Sequence, residues 1–261
     1  MTIKDLAIVD PGGNITAVVF DDIPASRRLQ INNQILERNT LVEQVLFVEH
    51  RVTGVHGQMA GGEFCGNAAR SLGYLLAEGR TSQQRFTTSG ISVSVIVEAG
   101  ENRAKLLVDL SIQHEKRPYN NGTIPVVHLD GISHAVMFSD DPLYDCLLGK
   151  ANEGKTSLLP LFETLGLLSH RACGLQLVEE SATGIKLKPY VYVRAVDTLY
   201  AETACASGSI AVTSLLGEES HLVQPSGKIL STKIASNGSC FRADVDGYAD
   251  LLSRGSLIEV V

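Results

Sequence analysis

The sequence predicts an α+β fold made of two similar β-rich halves. Short runs rich in Val, Ile and Phe, bounded by Gly, Asn or Asp, recur along the chain and indicate strands. A few longer segments have the apolar spacing of packed helices. Cys65 and Cys205 stand about half the chain apart in similar surroundings, which indicates a duplicated architecture.

The individual elements follow from these patterns. Strands are predicted at 6–9, 15–20, 43–48, 91–98, 105–110, 126–129, 136–138, 175–178 and 191–193. Helices are predicted at 25–38, 66–78, 157–169 and 207–216. In each half, strands around a Gly-containing turn precede a helix, further strands and a Cys followed by small residues. The turn-rich segment 119–122 is the predicted boundary, so we expect halves at 1–118 and 119–261.

The composition and charge limit the partners. The chain has 44% hydrophobic and 20% charged residues and a net charge of -7. This acidic balance argues against nucleic acid, because a phosphate backbone is usually met by a basic face. The apolar runs have strand length, so no membrane partner is expected. The first residues show no charged region followed by an apolar core, which predicts a cytoplasmic protein.

Five cysteines without an export signal predict free thiols and no disulfide framework. No Cys-x-x-Cys or His-x-x-x-His pair occurs, so no metal site is predicted. Taken singly, a Cys flanked by small residues is best interpreted as a packing residue. We adopt that interpretation for Cys146, Cys173 and Cys240. The matched positions of Cys65 and Cys205 favour chemistry instead.

Both of these cysteines stand at the predicted start of a helix with small first residues. The free N–H groups and the dipole of a helix start lower a thiol pKa from its usual ~8.5 and favour the thiolate. The N–H groups at Gly66-Asn67 and Ala206-Ser207 would hold a substrate carboxylate. Two facing sites of this kind would place a thiolate and a thiol on opposite faces of one carbon, which predicts inversion by a two-base mechanism.

At these residues the sequence resembles the diaminopimelate epimerase family. The hallmarks of that family are a Cys-Gly-Asn motif in the first half and an Ala-Cys-small-Ser/Thr-Gly motif in the second; here they are Cys65-Gly66-Asn67 and 204–208. The resemblance implies two pseudo-symmetric halves, each a β-barrel-like sheet wrapped around a central helix. It also implies amino-acid racemisation or epimerisation without a cofactor.

The resemblance extends to supporting positions. Asn14 matches an Asn that contacts the substrate in that family, and Gln44 matches a binding position. His134 matches a His that supports the catalytic cysteine. Asn14 is also a normal turn residue, and Asn67 a normal helix cap. Glu202 is either an acid that answers the helix dipole or a partner that orients His134 and tunes Cys205.

The departures from the family concern the far end of the substrate. Diaminopimelate epimerases carry a Glu-Arg pair, whose Arg holds the distal carboxylate, where this chain has Val196 and Asp197. The sequence lacks this pair, and its residues 59–68 are similar to those of the histidine racemases of opine-type metallophore synthesis. In both features it resembles those racemases more closely. By this resemblance, Glu43 or Asp197 would meet a cationic or imidazole side chain. Glu43 and Gln44 are both candidates for substrate binding, but neighbouring strand residues face opposite sides, so only one of them is expected to reach the site directly unless the strand is bulged.

The sequence therefore predicts a cofactor-independent racemase, with Cys65 and Cys205 as acid and base, histidine as substrate and a homodimer as its assembly. Two alternatives stay open within the same chemistry: a diaminopimelate epimerase, or a racemase of another amino acid. A third is a homologue that binds amino acids without turnover or shifts protons as an isomerase.

Overall fold

The computed structural model describes residues 2–181, 184–255 and 258–259. The strands are β1 (Thr2–Ile3), β2 (Leu6–Asp10), β3 (Thr16–Val19), β4 (Gln44–Arg51), β5 (Gly54–Met59), β6 (Ser82–Thr88), β7 (Ser94–Gly100), β8 (Arg103–Leu110), β9 (Ile112–Tyr119), β10 (Gly122–Leu129), β11 (Ile132–Phe138), β12 (Ala172–Ser181), β13 (Gly184–Val193), β14 (Thr198–Ala201), β15 (Glu219–Val223), β16 (Ile229–Asn237), β17 (Cys240–Tyr248), β18 (Asp250–Gly255) and β19 (Ile258–Glu259). The helices are α1 (Ala25–Arg38), α2 (Gly66–Leu76), α3 (Tyr144–Glu153), α4 (Lys155–Thr164) and α5 (Ala206–Leu216). The fold is α+β, as predicted.

The strands form one continuous mixed sheet that bends around the helices. In one direction from the antiparallel pair β8–β17 the order is β8-β7-β6-β5-β4-β3-β2-β18. In the other direction it is β17-β16-β15-β13-β12-β11-β10-β9. The parallel pairs are β3–β4 and β5–β6 in the first series, and β11–β12 and β13–β15 in the second. Strand β14 pairs with β13, and β1 with β19.

Each series of strands surrounds one apolar helix. Helix α2 lies against β7, β8 and β3, and α5 lies against β16, β11 and β15. Their side chains share one buried cluster, which includes Leu72 on α2 and Ile210 on α5. Burial of such side chains stabilises the fold by about 1.5–3 kcal/mol each. Because both helices are held by the same core, their N-terminal ends occupy fixed positions relative to each other.

The outer helices cover the other face of the sheet. Helix α1 packs on β4 through Ile31 and Ile35, and α3 and α4 pack on the second series through Leu147 and Phe162. None of the described helices is long and apolar enough to cross a membrane.

The predicted helix at 157–169 differs from the structure at both ends. Helix α4 begins at Lys155, directly after α3, and ends at Thr164. Gly166 then takes a left-handed conformation, φ 72°, which starts a separate turn at Leu167–Ser169. The segment 119–122 forms the hairpin turn between the paired strands β9 and β10.

Candidate active site

A cavity lies where the N-terminal ends of α2 and α5 meet. Of the twelve predicted site residues, nine line it: Asn14, Glu43, Gln44, Cys65, Gly66, Glu202, Cys205, Ala206 and Ser207. Most of the predicted site residues therefore share one cavity. The other three residues, Asn67, His134 and Asp197, lie outside the wall.

Cys65 and Cys205 are the N-cap residues of the two helices. The Sγ atom of Cys65 accepts a hydrogen bond from the backbone N–H of Ala68 at 3.4 Å. The Sγ atom of Cys205 accepts one from the N–H of Gly208 at 3.3 Å. Both thiols therefore lie at the positive end of a helix, as the sequence predicted.

The two helix starts touch each other. A Cβ atom on Gly66 would lie 2.8 Å from Cβ of Ala206, closer than side-chain carbons normally approach. Asn67 joins the two ends, because its Nδ2 donates to the carbonyl of Ala204 at 3.1 Å. Asn67 is fully buried and does not line the cavity, so its side chain positions the second cysteine loop.

The electrostatic environment of the thiols corrects one prediction. Burial, followed by the charge of Glu202, raises the pKa of Cys65 to about 12, although the N–H of Ala68 acts in the opposite direction. Burial and Glu202 also raise the pKa of Cys205 well above its usual range. The expected lowering by the helix ends is therefore outweighed, because desolvation disfavours a buried thiolate. The raised pKa values favour the thiol form of both cysteines.

The hydrogen bonds of the Cys65 thiol agree with this protonation state. Its Sγ donates to Oε1 of Gln44 at 3.0 Å. The Nε2 of Gln44 in turn donates to Oγ1 of Thr16 at 2.8 Å, which fixes the orientation of the amide. Gln44 is thus a direct partner of the first cysteine, and its place in the site agrees with the sequence prediction.

Three carboxyl groups face the cavity. Glu43 accepts from the N–H of Thr203 at 2.9 Å and from the Thr203 hydroxyl. Glu202 is hydrogen-bonded to Cys205 and Asn14, and burial raises its pKa to about 8. Glu63 is also buried, and burial raises its pKa to about 7.

The expectation that only one of Glu43 and Gln44 reaches the cavity is wrong. Strand β4 begins at Gln44, so Glu43 precedes the regular strand and does not alternate with it. Both residues line the cavity. Glu43 reaches across to Thr203 and links the loop before β4 to the loop before α5.

His134 is connected to Cys205 through Ser207. Its Nε2 is 3.0 Å from Oγ of Ser207, and that oxygen is 3.6 Å from Sγ of Cys205. The other ring nitrogen is hydrogen-bonded to Gln176 at 3.0 Å. Both ring nitrogens are thus engaged, so the expectation that Glu202 orients His134 is wrong. Burial lowers the pKa of His134 to about 3, so the ring is neutral.

Asp197 does not belong to the site. Its side chain is 70% exposed and forms an ion pair with Lys155 at 2.6 Å. It also accepts a hydrogen bond from the hydroxyl of Tyr192. The prediction that Asp197 meets the substrate side chain is therefore wrong; its left-handed backbone, φ 51°, turns it outwards after the short helix Arg194–Val196.

The sequence reasoning missed Glu63 and Thr203. Glu63 lies two residues before Cys65, and an acidic residue so close to a cysteine proposed as catalytic was an available signal. The hydroxyl of Thr203 accepts from the N–H of Asn14 at 2.7 Å, a contact between residues far apart in sequence. No local pattern points to that contact.

Comparison with known proteins identifies the family of the chain. The family model of the histidine racemase CntK N-terminal domain matches residues 5–258. A histidine racemase of Fusobacterium nucleatum is 28% identical and aligns with 98% of this chain and 97% of its own length.

Solved structures share the fold at low sequence identity. A PhzF-family phenazine biosynthesis protein of Bacillus anthracis has a TM-score of 0.65 at 11% identity and covers 99% of both chains. A hydroxyproline epimerase from Agrobacterium vitis has a TM-score of 0.60 at 10% identity, with 99% of this chain and 93% of that chain covered.

The fold and these relatives define an isomerase of the racemase and epimerase class that acts on amino acids. The chain belongs to the histidine racemase CntK N-terminal domain family.

Proposed function

We propose that the protein interconverts L- and D-histidine without a cofactor, by proton transfer at the α-carbon through Cys65 and Cys205. The observation that carries this proposal is that two N-cap cysteines stand on touching helix starts in a single cavity. The substrate carboxylate binds the free N–H groups of both helix starts, which also stabilise the charge that develops as the α-proton leaves.

Glu202 starts the reaction by taking a proton. The Cys205 thiol transfers its proton to the Glu202 carboxylate, with which it is hydrogen-bonded. The Cys205 thiolate then removes the α-proton of the substrate, and the Cys65 thiol delivers its own proton to the opposite face. The substrate ammonium group enters beside three carboxyl groups, and this positive charge reduces the cost of forming a thiolate there.

The charges of the cavity favour histidine over diaminopimelate. Its wall contains Glu43, Glu63 and Glu202, and no Lys or Arg among the residues that the structure describes. A distal carboxylate would have no cation to pair with, and burying an unpaired charge is costly. An imidazole group can donate hydrogen bonds to a carboxyl group. The histidine racemase named among the relatives supports the same choice.

The experiment is α-deuterium exchange of L-histidine in deuterated water, followed by chiral analysis. Cys65→Ser and Cys205→Ser are each expected to lower racemisation at least about 100-fold, because a hydroxyl is a far weaker acid than a thiol. Cys146→Ser is the matched control, because Cys146 is exposed on α3. Near-normal activity in either cysteine variant would exclude the two-base mechanism.

Exchange into other amino acids distinguishes the alternatives. Exchange into diaminopimelate and not into histidine would make the protein a diaminopimelate epimerase. Calorimetric binding of histidine without exchange would indicate a binding protein.

We also propose that 1–118 and 119–261 are two pseudo-symmetric halves. The support is the order of pairing, in which the series from β8 to β18 and from β17 to β9 have parallel pairs at the same places. On this proposal each half contributes its last strand to the other, since β9 pairs with β10 and β18 with β2.

We further propose that the enzyme is a cytoplasmic homodimer that supplies D-histidine for metallophore synthesis. The free cysteines support a reducing compartment, and the sequence resemblance to racemases of opine-type metallophore synthesis supports the pathway. Light scattering during size-exclusion chromatography tests the dimer, for which a mass near 28.0 kDa would indicate a monomer.

A further inference from the structure

Glu63 is a buried carboxyl group whose hydrogen-bonding capacity is only partly used. The backbone N–H groups of Gly61 and of Glu63 itself donate to the carboxyl group. Its Oε2 atom is buried and has no hydrogen-bond partner among the described residues. A buried acceptor without a partner is costly, so such a group in a cavity wall indicates a ligand that supplies the donor.

The chain makes room for this carboxyl group. A Cβ atom on Gly61 would lie 2.5 Å from Oε2 of Glu63 and 2.4 Å from Cγ1 of Val193. Any residue other than glycine would therefore displace the carboxyl group from its place beside Val193. The neighbouring cavity wall also includes Met59 and Val196, both apolar. This part of the cavity offers one acceptor beside apolar side chains.

The other two carboxyl groups of the cavity are bonded to residues beside the cysteines. Glu43 is bonded to Thr203 through both of its oxygens. Glu202 also has one oxygen, Oε2, without a partner in the described part of the chain, but its carboxyl group is hydrogen-bonded to Cys205 and Asn14 and so lies beside a cysteine of the proposed acid/base pair. Glu63 contacts neither a cysteine nor the opposite loop through a hydrogen bond. It is the cavity carboxyl group best placed to meet the far end of a substrate.

We infer that Glu63 recognises the substrate side chain by accepting a hydrogen bond from a ring N–H, while the apolar wall packs on the ring carbons. This inference rests on the proposed function, and it assigns the selection of an imidazole side chain to one residue. The pKa of the Glu63 carboxyl group, raised by burial to about 7, is close to that of an imidazole. One proton can therefore be shared between the two groups near neutral pH, and no uncompensated charge is buried.

The test compares histidine with 3-(2-thienyl)alanine, whose ring has a similar shape and no N–H. For each enzyme, kcat/KM of α-deuterium exchange is measured with both substrates. Glu63→Gln keeps a neutral acceptor, and Glu63→Met keeps the length without an acceptor. The preference for histidine is expected to fall about 10-fold in Glu63→Gln and about 100-fold in Glu63→Met. Exchange on thienylalanine is expected to be retained.

The control is Glu101→Gln, at an exposed turn between β7 and β8, which is expected to keep the wild-type preference. An unchanged preference in both Glu63 variants would overturn the inference. An equal loss with both substrates would overturn it too, because it would show a general structural role.

The wild-type enzyme separates this inference from the proposed function. If wild type exchanges no amino acid, the proposed function fails. Binding of free imidazole, followed by NMR with wild type and Glu63→Met, then decides the role of Glu63 by itself. Weaker binding to the variant would support the inference, and equal binding would contradict it.

Discussion

At the scale of single residues, the two cysteines are subject to opposing effects. The backbone N–H groups at the helix starts stabilise a thiolate, while burial and the charge of Glu202 destabilise it. Desolvation is the larger effect, so both groups hold their protons. A substrate ammonium group changes this balance, because a buried cation favours nearby anions. On the proposed mechanism the thiolate therefore forms only when the substrate is bound, which would protect the cysteine from oxidation.

The pH dependence of kcat/KM tests the role of Glu202. Its pKa is raised to about 8, so below that pH the carboxyl group is protonated and cannot accept the proton of Cys205. We expect kcat/KM to rise with pH up to about 8 and then to level off, since this parameter reports ionisation of the free enzyme. Glu202→Gln is expected to lower kcat about 100-fold or more and to abolish the rise of kcat/KM with pH.

Glu63→Gln serves as the comparison in that experiment, since its kcat/KM should still rise with pH up to about 8. If kcat/KM of Glu202→Gln rises with pH in the same way as that of the wild type, Glu202 is not the group that accepts the proton of Cys205.

Glu63 makes a separate prediction about stability. Its pKa rises from 4.5 to about 7 on folding, so the folded state binds this proton more tightly than the unfolded state. The resulting cost to stability is absent below pH 4.5, grows as the pH rises towards 7 and is then constant. Glu63→Gln removes this cost. The variant should therefore gain up to about 3 kcal/mol in free energy of unfolding over wild type at pH 8, and nothing at pH 4.5.

Urea unfolding of both proteins at the two pH values measures this difference. A gain of equal size at pH 4.5 and pH 8 would show that ionisation of Glu63 is not its cause.

The residues of the site differ in how far the sequence reveals them. Cys65, Cys205, Asn14 and Gln44 stand in local motifs, and the cavity contains them all. The prediction for Asp197 fails because the place of a residue in the sequence says nothing about the left-handed turn that directs it to solvent. The thiol pKa values depend on burial by the whole fold, which a local motif does not report.

At the scale of elements, the contact between α2 and α5 sets the distance between the two cysteines. It depends on small residues, since Gly66 and Ala206 face each other at the helix starts. Any added side-chain carbon on Gly66 must push one helix outwards. The geometry for proton transfer is sensitive to such shifts, since a displacement of about 1 Å can cost about 100-fold in rate.

Gly66→Ala tests this contact. The new Cβ atom would lie 2.8 Å from that of Ala206, so the helix starts must separate. We expect kcat to fall about 100-fold while the far-ultraviolet circular dichroism spectrum is unchanged. The control is Gly149→Ala in α3, where an added Cβ atom meets nothing within 4 Å. That variant should keep full activity; wild-type activity in Gly66→Ala would show that the contact is not needed.

The sequence revealed some elements better than others. Helix α1 was predicted with its bounds, because its apolar spacing is regular over 14 residues. Helix α3 was missed because it is short and is separated from α4 only by Gly154, whose φ is 79°. Strands β9 and β18 were missed because their side chains are mostly exposed and show no apolar alternation.

At the scale of the whole molecule, strands from distant parts of the chain pair with each other. Strand β8 pairs with β17, and β18 returns to β2. These long-range pairings cannot be read from local patterns, since many strand orders bury the same side chains. These pairings bring the loop that carries Asn14, a residue of the cavity wall, against residues from the second half of the chain. The Oγ atom of Ser226 donates to the carbonyl of Gly12 at 2.6 Å in this region.

Arg70 is the residue that ties these distant segments together. It is fully buried in α2 and donates to the carbonyl groups of Pro11 at 2.6 Å, Ala104 at 2.9 Å and Tyr248 at 2.8 Å. Burial lowers its pKa to about 10, so it stays protonated at neutral pH. No carboxylate accepts from it in the described structure; the three carbonyl groups and Asn67 provide its hydrogen bonds.

Arg70→Met is expected to lower the free energy of unfolding by about 3 kcal/mol or more, because it leaves three buried carbonyl groups without their donor. The control is Arg85→Met, which removes the same charge from an exposed position on β6 and should change stability by less than about 0.5 kcal/mol. Urea unfolding measures both. The Arg70 variant should also raise KM, because the carbonyl of Pro11 belongs to the loop that positions Asn14. Equal stability of the two variants would show that Arg70 does not hold the strand series together.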